Sequence, residues 1–141
     1  MRYEVEVHID AEPEKVWEVL VDVEHWPEWT PSMTSVQRLE EGSFGVGNTA
    51  RVQQPRIPRA VYTVTEYQAG RSFTWAAGSI GVRTRASHDV AAQAGGGTTV
   101  RLAVSQTGVF APVSALFAAS LIRRYLAMEA QGLKGRCETG A

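Results

Sequence analysis

The stretch PVSALFAASLIRRYLAMEAQGLKGR, residues 112–136, decides the fold of this chain. At the roughly 100° per residue of a helix, its charged residues gather on one side and its apolar residues cover an arc of about 200°. The first side holds Arg123, Arg124, Ala127, Gln131 and Lys134, and the apolar arc holds Phe117, Ala118, Leu121, Ile122, Tyr125, Leu126, Met128 and Leu133. A surface helix usually has an apolar stripe of about 100°, so this pattern predicts a partner that surrounds more than half of the helix. Its charges interrupt the apolar run too often for a membrane span.

Two residues inside the apolar arc do not suit a plain core. Glu129 would place a costly charge there unless it is paired with an arginine or accepts a hydrogen bond from an indole N–H. The alternative is that burial raises its pKa and that it serves a ligand. Gly132 costs a helix about 1 kcal/mol relative to alanine. That cost predicts the close approach of a bulky group, either a tryptophan from an earlier segment or a ligand.

The totals narrow the class of protein. With 141 residues, the chain is predicted to be a single domain, residues 1–141. The formal net charge of −1 indicates neither nucleic acid nor an anionic membrane surface as a partner. Cys137 is the only cysteine, which excludes an intrachain disulfide and the usual Cys/His zinc site. The first residues alternate instead of forming an apolar signal core, so a cytoplasmic location is expected. A monomer or a homodimer is expected as well.

The chain before the long helix begins with a strand and a short helix. Residues 2–10 alternate between apolar and polar side chains, as in a strand with one buried face. Glu12, Pro13 and Glu14 are typical of a helix start, because proline fits the first turn and acids favour the positive end of the dipole. Pro27 and Pro31 break any longer helix. Residues 25–31 are therefore predicted to form a second short helical turn or a structured loop.

The middle of the chain has a strand pattern. Strands are predicted at residues 35–39, 49–53, 60–67, 72–76, 82–92 and 98–107, with glycines in several of the turns. Pro55 and Pro58 exclude a central strand between them, so residues 55–59 are predicted to be a loop or a sheet edge. The predicted fold class is α+β: a curved antiparallel sheet of six to seven strands wrapped around the long C-terminal helix, with two short helices between the first two strands.

Four segments carry a resemblance to a known family. They are IDAEPEKVW at residues 9–17, Asp22 with WPEW at residues 26–29, EYQAGRSFTW at residues 66–75, and YLAME with GLK at residues 125–129 and 132–134. With this element order, the chain resembles the START-like helix-grip superfamily, also called SRPBCC, and within it the polyketide cyclase/dehydrase and lipid-transport branch. The resemblance implies a deep pocket between the C-terminal helix and the sheet for hydrophobic or amphipathic ligands. Family members include carriers, receptors and ring-closing enzymes, so it implies no single reaction.

The strand and helix faces predict the walls of that pocket, since small-molecule sites are mostly apolar concavities with a few polar groups. The expected lining is Val52, Tyr62, Trp75, His88, Leu102, Val104 and Gln106 from the sheet and Phe117, Leu121, Tyr125 and Met128 from the helix. Trp29 is expected beside them, because Trp26 and Trp29 lie on a proline-bounded segment suited to a lid. Core packing is the alternative for both and for Trp75. Arg56 and Arg59 are expected either to be solvated or to meet an acidic ligand group.

Three functions remain open at this stage. The first is a binder or carrier of a lipid, polyketide-like or aromatic molecule, with no chemistry of its own. The second is a polyketide cyclase or dehydratase in which His88 shuttles a proton and Tyr125 or Glu129 orients the substrate; the alternative for His88 is a hydrogen-bonded structural histidine. The third is a protein-interaction module with a vestigial pocket. The sequence has no hydrolase elbow, zinc or phosphate-loop motif, so no metal and no cofactor are expected.

Overall fold

The computed structural model describes residues 1–139. They form one β-sheet, two α-helices and one short 3-10 helix, connected by turns. The elements are β1 (Arg2–Ile9), α1 (Pro13–Val21), a 3-10 helix (Val23–Glu28), β2 (Ser35–Arg38), β3 (Thr49–Gln54), β4 (Ile57–Gln68), β5 (Ser72–Ser79), β6 (Val82–Ala92), β7 (Thr98–Thr107) and α2 (Ala111–Thr139). The predicted α+β helix-grip class is confirmed, with both short helices between β1 and β2.

All neighbouring strands of the sheet are antiparallel. The spatial order is β1-β7-β6-β5-β4-β3-β2, so the strands from β2 to β7 form a meander and β1 pairs with the last of them. Alternating burial along β1 turns Tyr3, Val7 and Ile9 to the concave face. Pro13 opens α1 at a position that needs no N–H donor, as predicted from the sequence.

Pro58 lies at a local sheet edge, one of the two alternatives predicted for it, but β4 begins three residues earlier than predicted. β4 begins at Ile57 and includes Pro58, although the sequence excludes a central strand there. The reason is that pairing of β4 with β5 begins only at Thr63 and Ala76, so the first residues of β4 pair with β3 alone. Pro58 therefore occupies a local edge, where its missing N–H costs no ladder bond. The same splaying opens a gap between the start of β4 and the end of β5.

The grip on α2 also differs from the prediction. The helix packs mainly against β1, β7 and α1, and a stripe of buried side chains runs through Ile122, Leu126, Glu129 and Leu133. Phe117, assigned to the gripped arc, is exposed. The sheet therefore covers less than the predicted half-circle over the first turns of α2, where Phe117 and Leu121 border a cavity, as predicted for pocket-lining residues, because β4 and β5 stand away from that part of the helix. Apolar side chains there face a gap or solvent.

Gly132 in the interior of α2 is explained by the close approach of Trp29. A Cβ atom on Gly132 would fall within contact distance of the Trp29 carbonyl oxygen and its ring. Trp29 follows the 3-10 helix, so the glycine lets that segment lie directly on α2. Of the two bulky groups that the sequence predicts beside Gly132, the tryptophan is the one present.

Candidate functional site

Two adjacent cavities lie between α2 and the concave face of the sheet. The larger has a volume of about 680 Å³ and occupies the gap between the first half of α2 and strands β4 to β7. The smaller, of about 50 Å³, lies deeper, beneath Trp26 and Trp75. Five residues border both cavities and form the wall between them: Gln54, Tyr62, Val104, Leu126 and Glu129. The larger volume suits a small organic molecule, and the smaller suits one or two waters.

The larger cavity collects half of the residues predicted to bind a ligand. These are Tyr62, Val104, Gln106, Phe117, Leu121 and Tyr125. Its remaining wall includes Ala118 and Ile122 from α2, the strand ends Ala77 to Ser79, and Val82 and Thr84 of β6. Thr84 is absent from the predicted lining, although it alternates in phase with Val82 and His88 on the same strand face. That alternation was the signal that would have found it.

The smaller cavity takes four further predicted residues: Val52, Trp75, His88 and Leu102. Met128 and Trp29 lie outside the linings of both cavities. Met128 is displaced because the stripe of α2 that faces the sheet places Glu129, its neighbour in sequence, toward the cavities. Trp29 packs on Trp26, with ring centroids 5.6 Å apart, and on Gly132.

His88 lies in an aromatic cluster beyond the larger cavity. Its ring stacks on Phe73 at 4.1 Å between centroids, and its Nδ1 is 3.1 Å from the Phe73 carbonyl oxygen, to which it donates a hydrogen bond. Burial lowers the pKa of His88 to about 4, so the imidazole is neutral at pH 7. These contacts are those of a structural histidine, and the larger cavity does not reach its ring.

Glu129 is the buried carboxyl group that borders both cavities. Its Oε2 accepts a hydrogen bond from the Ser32 hydroxyl at 3.4 Å, and Ser32 in turn is 2.7 Å from the Thr30 hydroxyl. Burial raises the pKa of Glu129 to about 7, although the Ser32 hydrogen bond opposes that shift. The carboxyl group is therefore able to hold or release a proton at neutral pH while facing the cavity.

Two more polar side chains line the larger cavity. Loss of hydration raises the pKa of Tyr62 to about 12, with the charge of Glu129 adding to the effect. Gln106 donates from Nε2 to the Thr84 hydroxyl at 3.3 Å. Its buried Oε1 has no hydrogen-bond partner among residues 1–139. An unpaired buried acceptor costs about 1–3 kcal/mol, so Gln106 contributes to the polarity of this wall at a cost in stability.

Tyr125 closes one side of the larger cavity. Its hydroxyl donates a hydrogen bond to the Pro55 carbonyl oxygen, which ties the β3–β4 turn to α2. Arg56 in this turn has φ of 66°, a left-handed conformation that favours glycine. Arg56 and Arg59 border the cavity at its solvent side, and both are exposed.

The described residues offer no site for a metal. Within residues 1–139, no group of three or more His, Cys, Asp and Glu side chains is arranged to hold a metal ion. The arrangement that is present, apolar walls with a few polar side chains, is suited to an organic molecule, and Glu129 is the lining group whose pKa of about 7 lies near neutral pH.

Comparison with protein families gives one match over nearly the whole chain. The sequence profile of the family described as polyketide cyclase / dehydrase and lipid transport matches residues 1–138. No curated protein matches the sequence.

Several solved structures are similar in fold. The Zhui aromatase/cyclase from Streptomyces sp. R1128 is 17% identical, with a TM-score of 0.79 over 98% of this chain and 93% of that one. A START superfamily protein from Mycobacterium smegmatis is 15% identical, with a TM-score of 0.76 over 99% of both chains. A hypothetical protein from Helicobacter pylori is 15% identical, with a TM-score of 0.80 over 96% of this chain and 86% of that one. At these identities, the likeness is one of fold.

Proposed function

Because the chain belongs to the polyketide cyclase / dehydrase and lipid transport family, we propose that it binds one small hydrophobic or amphipathic molecule in the larger cavity. In this proposal the protein is a binder or carrier, without chemistry of its own. The cytoplasmic location and the monomer or homodimer expected from the sequence are parts of the same proposal.

The observation that carries the proposal is the volume of the larger cavity. It measures about 680 Å³, within the range of about 300–1,000 Å³ for small-molecule sites. Tight packing normally leaves few voids larger than a water molecule. A gap of this size beside a helix is therefore evidence against a vestigial pocket, and so against the third function considered from the sequence.

The polar groups of the cavity narrow the class of ligand. Glu129 faces the cavity from α2, and Tyr62 faces it from β4. A ligand hydroxyl or amine would pair with either, while its apolar body would contact Leu121 and Val104. The arginines at the solvent side, Arg56 and Arg59, favour an acidic group there. We infer an elongated amphipathic ligand with a donor group at its inner end.

A second candidate function is proton transfer on a bound substrate. What favours it is Glu129, a titratable group in contact with the cavity whose pKa of about 7 suits an acid or base at neutral pH. His88 is disfavoured as the proton-transfer group, because its pKa is low and its ring is stacked. In the enzyme hypothesis, Glu129 takes this role, with Tyr62 beside it.

A cavity-filling substitution tests the binding proposal. Ala118 is half-buried on the cavity side of α2, so Ala118→Phe would place a ring inside the space that a ligand needs. With the amphipathic dye anilinonaphthalenesulfonate as probe, a fluorescence titration is expected to show at least a tenfold weaker affinity for this variant, about 1.4 kcal/mol.

The matched control is Ala127→Phe, the same change on the exposed side of the same helix. It is expected to bind the dye as the unaltered protein does. Equal affinity of all three proteins would show that the dye binds elsewhere and would contradict a ligand site in this cavity. Far-UV circular dichroism of both variants checks that α2 is retained.

A further inference from the structure

Six exposed apolar side chains surround the mouth of the larger cavity. Ile80 is 90% exposed, Leu116 81% and Phe117 82%. The full set, here called the mouth rim, is Ile80, Val109, Phe110, Val113, Leu116 and Phe117. Single exposed apolar residues are normal, but a contiguous group of them marks an interaction surface.

The mouth rim is contiguous although it comes from two parts of the chain. The Phe110 N–H donates to the Gly81 carbonyl oxygen at 3.0 Å, which places the β7–α2 connection against the β5–β6 turn that carries Ile80. Val109 and Phe110 lead directly into α2, whose first two turns carry the other three residues. Phe117 also lines the cavity, so the rim and the cavity share an edge.

The charge around the rim has one sign. The segments that form the mouth, residues 54–62, 77–84 and 106–118, contain Arg56, Arg59 and Arg83 and no Asp or Glu. At the other end of the sheet, residues 9–28 run from the end of β1 through α1 and the 3-10 helix and contain one lysine and seven carboxylates, which outnumber the basic side chains from other elements at that end, Arg38, Arg71, Lys134 and Arg136. The seven carboxylates are Asp10, Glu12, Glu14, Glu18, Asp22, Glu24 and Glu28. The net charge of −1 therefore hides a strong separation of charge along the molecule.

We propose that the mouth rim and its arginines dock on an anionic lipid bilayer. Exposed apolar side chains insert into the boundary between headgroups and acyl chains, and flanking arginines are attracted to anionic headgroups. The separation of charge would turn the molecule so that its mouth faces the surface and its acidic end points away. This is peripheral contact, since within residues 1–139 no helix is both long and apolar enough to cross a bilayer.

A second copy of the chain fits this surface less well. A two-fold dimer pairs a surface patch with itself. The three mouth segments would then face each other with Arg56, Arg59 and Arg83 on both sides and no carboxylate of their own to offset them. Like charges across an interface are repulsive, whereas anionic headgroups would neutralise the same arginines.

Docking in this orientation would open the cavity onto the bilayer. A hydrophobic ligand would then pass between lipid and protein without crossing bulk water. This consequence rests on the proposed function, but the docking itself does not, so the two are tested separately.

Vesicle flotation of the full chain tests the docking. The probes are vesicles of phosphatidylcholine alone and of phosphatidylcholine with about one-third phosphatidylglycerol. The protein is expected to float with the anionic vesicles and to be released by high salt. Ile80→Ser combined with Leu116→Ser, and separately Arg83→Glu, are each expected to lower the apparent partition coefficient about tenfold. None of these residues lines either cavity, so dye binding should be retained.

Two controls carry the same chemical changes at the opposite end of the strands. Val46→Ser removes an exposed apolar side chain before β3, and Arg71→Glu reverses an exposed charge at the β4–β5 turn. Both variants are expected to float as the unaltered protein does. Failure of the unaltered protein to float with either vesicle, or equal losses in controls and rim variants, would overturn the proposal. So would a dimer in light scattering that the Ile80/Leu116 variant converts to a monomer.

Discussion

At the scale of single residues, the carboxyl group of Glu129 is the feature with the largest chemical consequence. It is buried on the sheet-facing stripe of α2, with the Ser32 hydroxyl as a donor at 3.4 Å. The sequence leaves two interpretations of Glu129 open. The first, pairing with an arginine or an indole N–H, is not found among its contacts in the described part of the chain, where the Ser32 hydroxyl is the donor. The raised pKa agrees with the other interpretation, in which Glu129 faces a ligand.

The raised pKa predicts a stability that falls with rising pH. Below its ordinary pKa of 4.5, Glu129 is protonated in the folded and the unfolded chain alike. Between there and about 7, the unfolded chain releases the proton while the folded chain retains it, so folding becomes less favourable as pH rises. Glu129→Gln removes this penalty. We expect it to raise the free energy of unfolding by about 3 kcal/mol at about pH 8 and to change it little at about pH 4.

Denaturant unfolding at the two pH values measures this, with Glu138→Gln as the contrasting variant. Hydrogen bonds from Lys134 and from the Asp10 N–H lower the pKa of Glu138. Replacing this carboxylate with the neutral Gln side chain should therefore destabilise the protein at the higher pH. The two substitutions in one helix therefore have opposite expected signs. An unchanged pH dependence in Glu129→Gln would refute the assignment.

Sequence reasoning reached these residues to different extents. Glu129 and Gly132 were identifiable because each violates the pattern around it. His88 was correctly placed on the concave strand face, but alternation assigns a face and not a depth. Whether a side chain on that face reaches the cavity or the aromatic cluster depends on the curvature of the sheet and on rotamers, which no periodicity encodes.

At the scale of elements, Gly132 joins the 3-10 helix segment to α2. Gly132→Ala would gain about 1 kcal/mol of helix propensity, but its Cβ would meet the Trp29 carbonyl oxygen, which is backbone and yields only if the segment moves. Overpacking of this kind costs about 1–3 kcal/mol or more. We expect the free energy of unfolding to fall by about 2 kcal/mol and the melting temperature to fall with it.

Gly135 provides the matched control, since it lies one turn later in the same helix. It is exposed, and a Cβ atom there would have no heavy atom within 4 Å among those the structure describes. Gly135→Ala should therefore stabilise the protein by about 0.5–1 kcal/mol. If both substitutions stabilise equally, Trp29 does not lie on Gly132 in solution.

The elements themselves were largely predictable, and their junctions were not. Alternation, strand-forming residues and turn glycines placed the predicted strands, and Pro13 with its flanking acids placed the start of α1. The start of β4 was missed because proline disrupts a strand only on a side where a neighbouring strand would accept a hydrogen bond from its N–H. At Pro58, β5 does not yet pair with β4, so no such bond is lost. The width of the grip on α2 was overstated for a related reason, because an apolar arc does not distinguish packing from a cavity wall.

At the scale of the whole molecule, the net charge is less informative than the distribution of charged residues over the fold. The net charge of −1 indicates no anionic partner, yet seven carboxylates lie in residues 10–28 at one end, and the segments that form the cavity mouth carry arginines without carboxylates. That separation becomes visible only when the topology shows which segments share an end of the sheet. The cavity is likewise a property of the whole fold, since β4, β5, β7 and α2 each supply part of its wall.

The central claim is that the space between α2 and the splayed strands is a ligand site. Backbone amide NMR spectra of the isotope-labelled protein, titrated with anilinonaphthalenesulfonate, test it most directly. We predict saturable shifts centred on cavity residues such as Tyr62, Gln106 and Leu121, and their loss in Ala118→Phe. Shifts confined to the mouth rim around Ile80 and Leu116, or retained in Ala118→Phe, would contradict the claim.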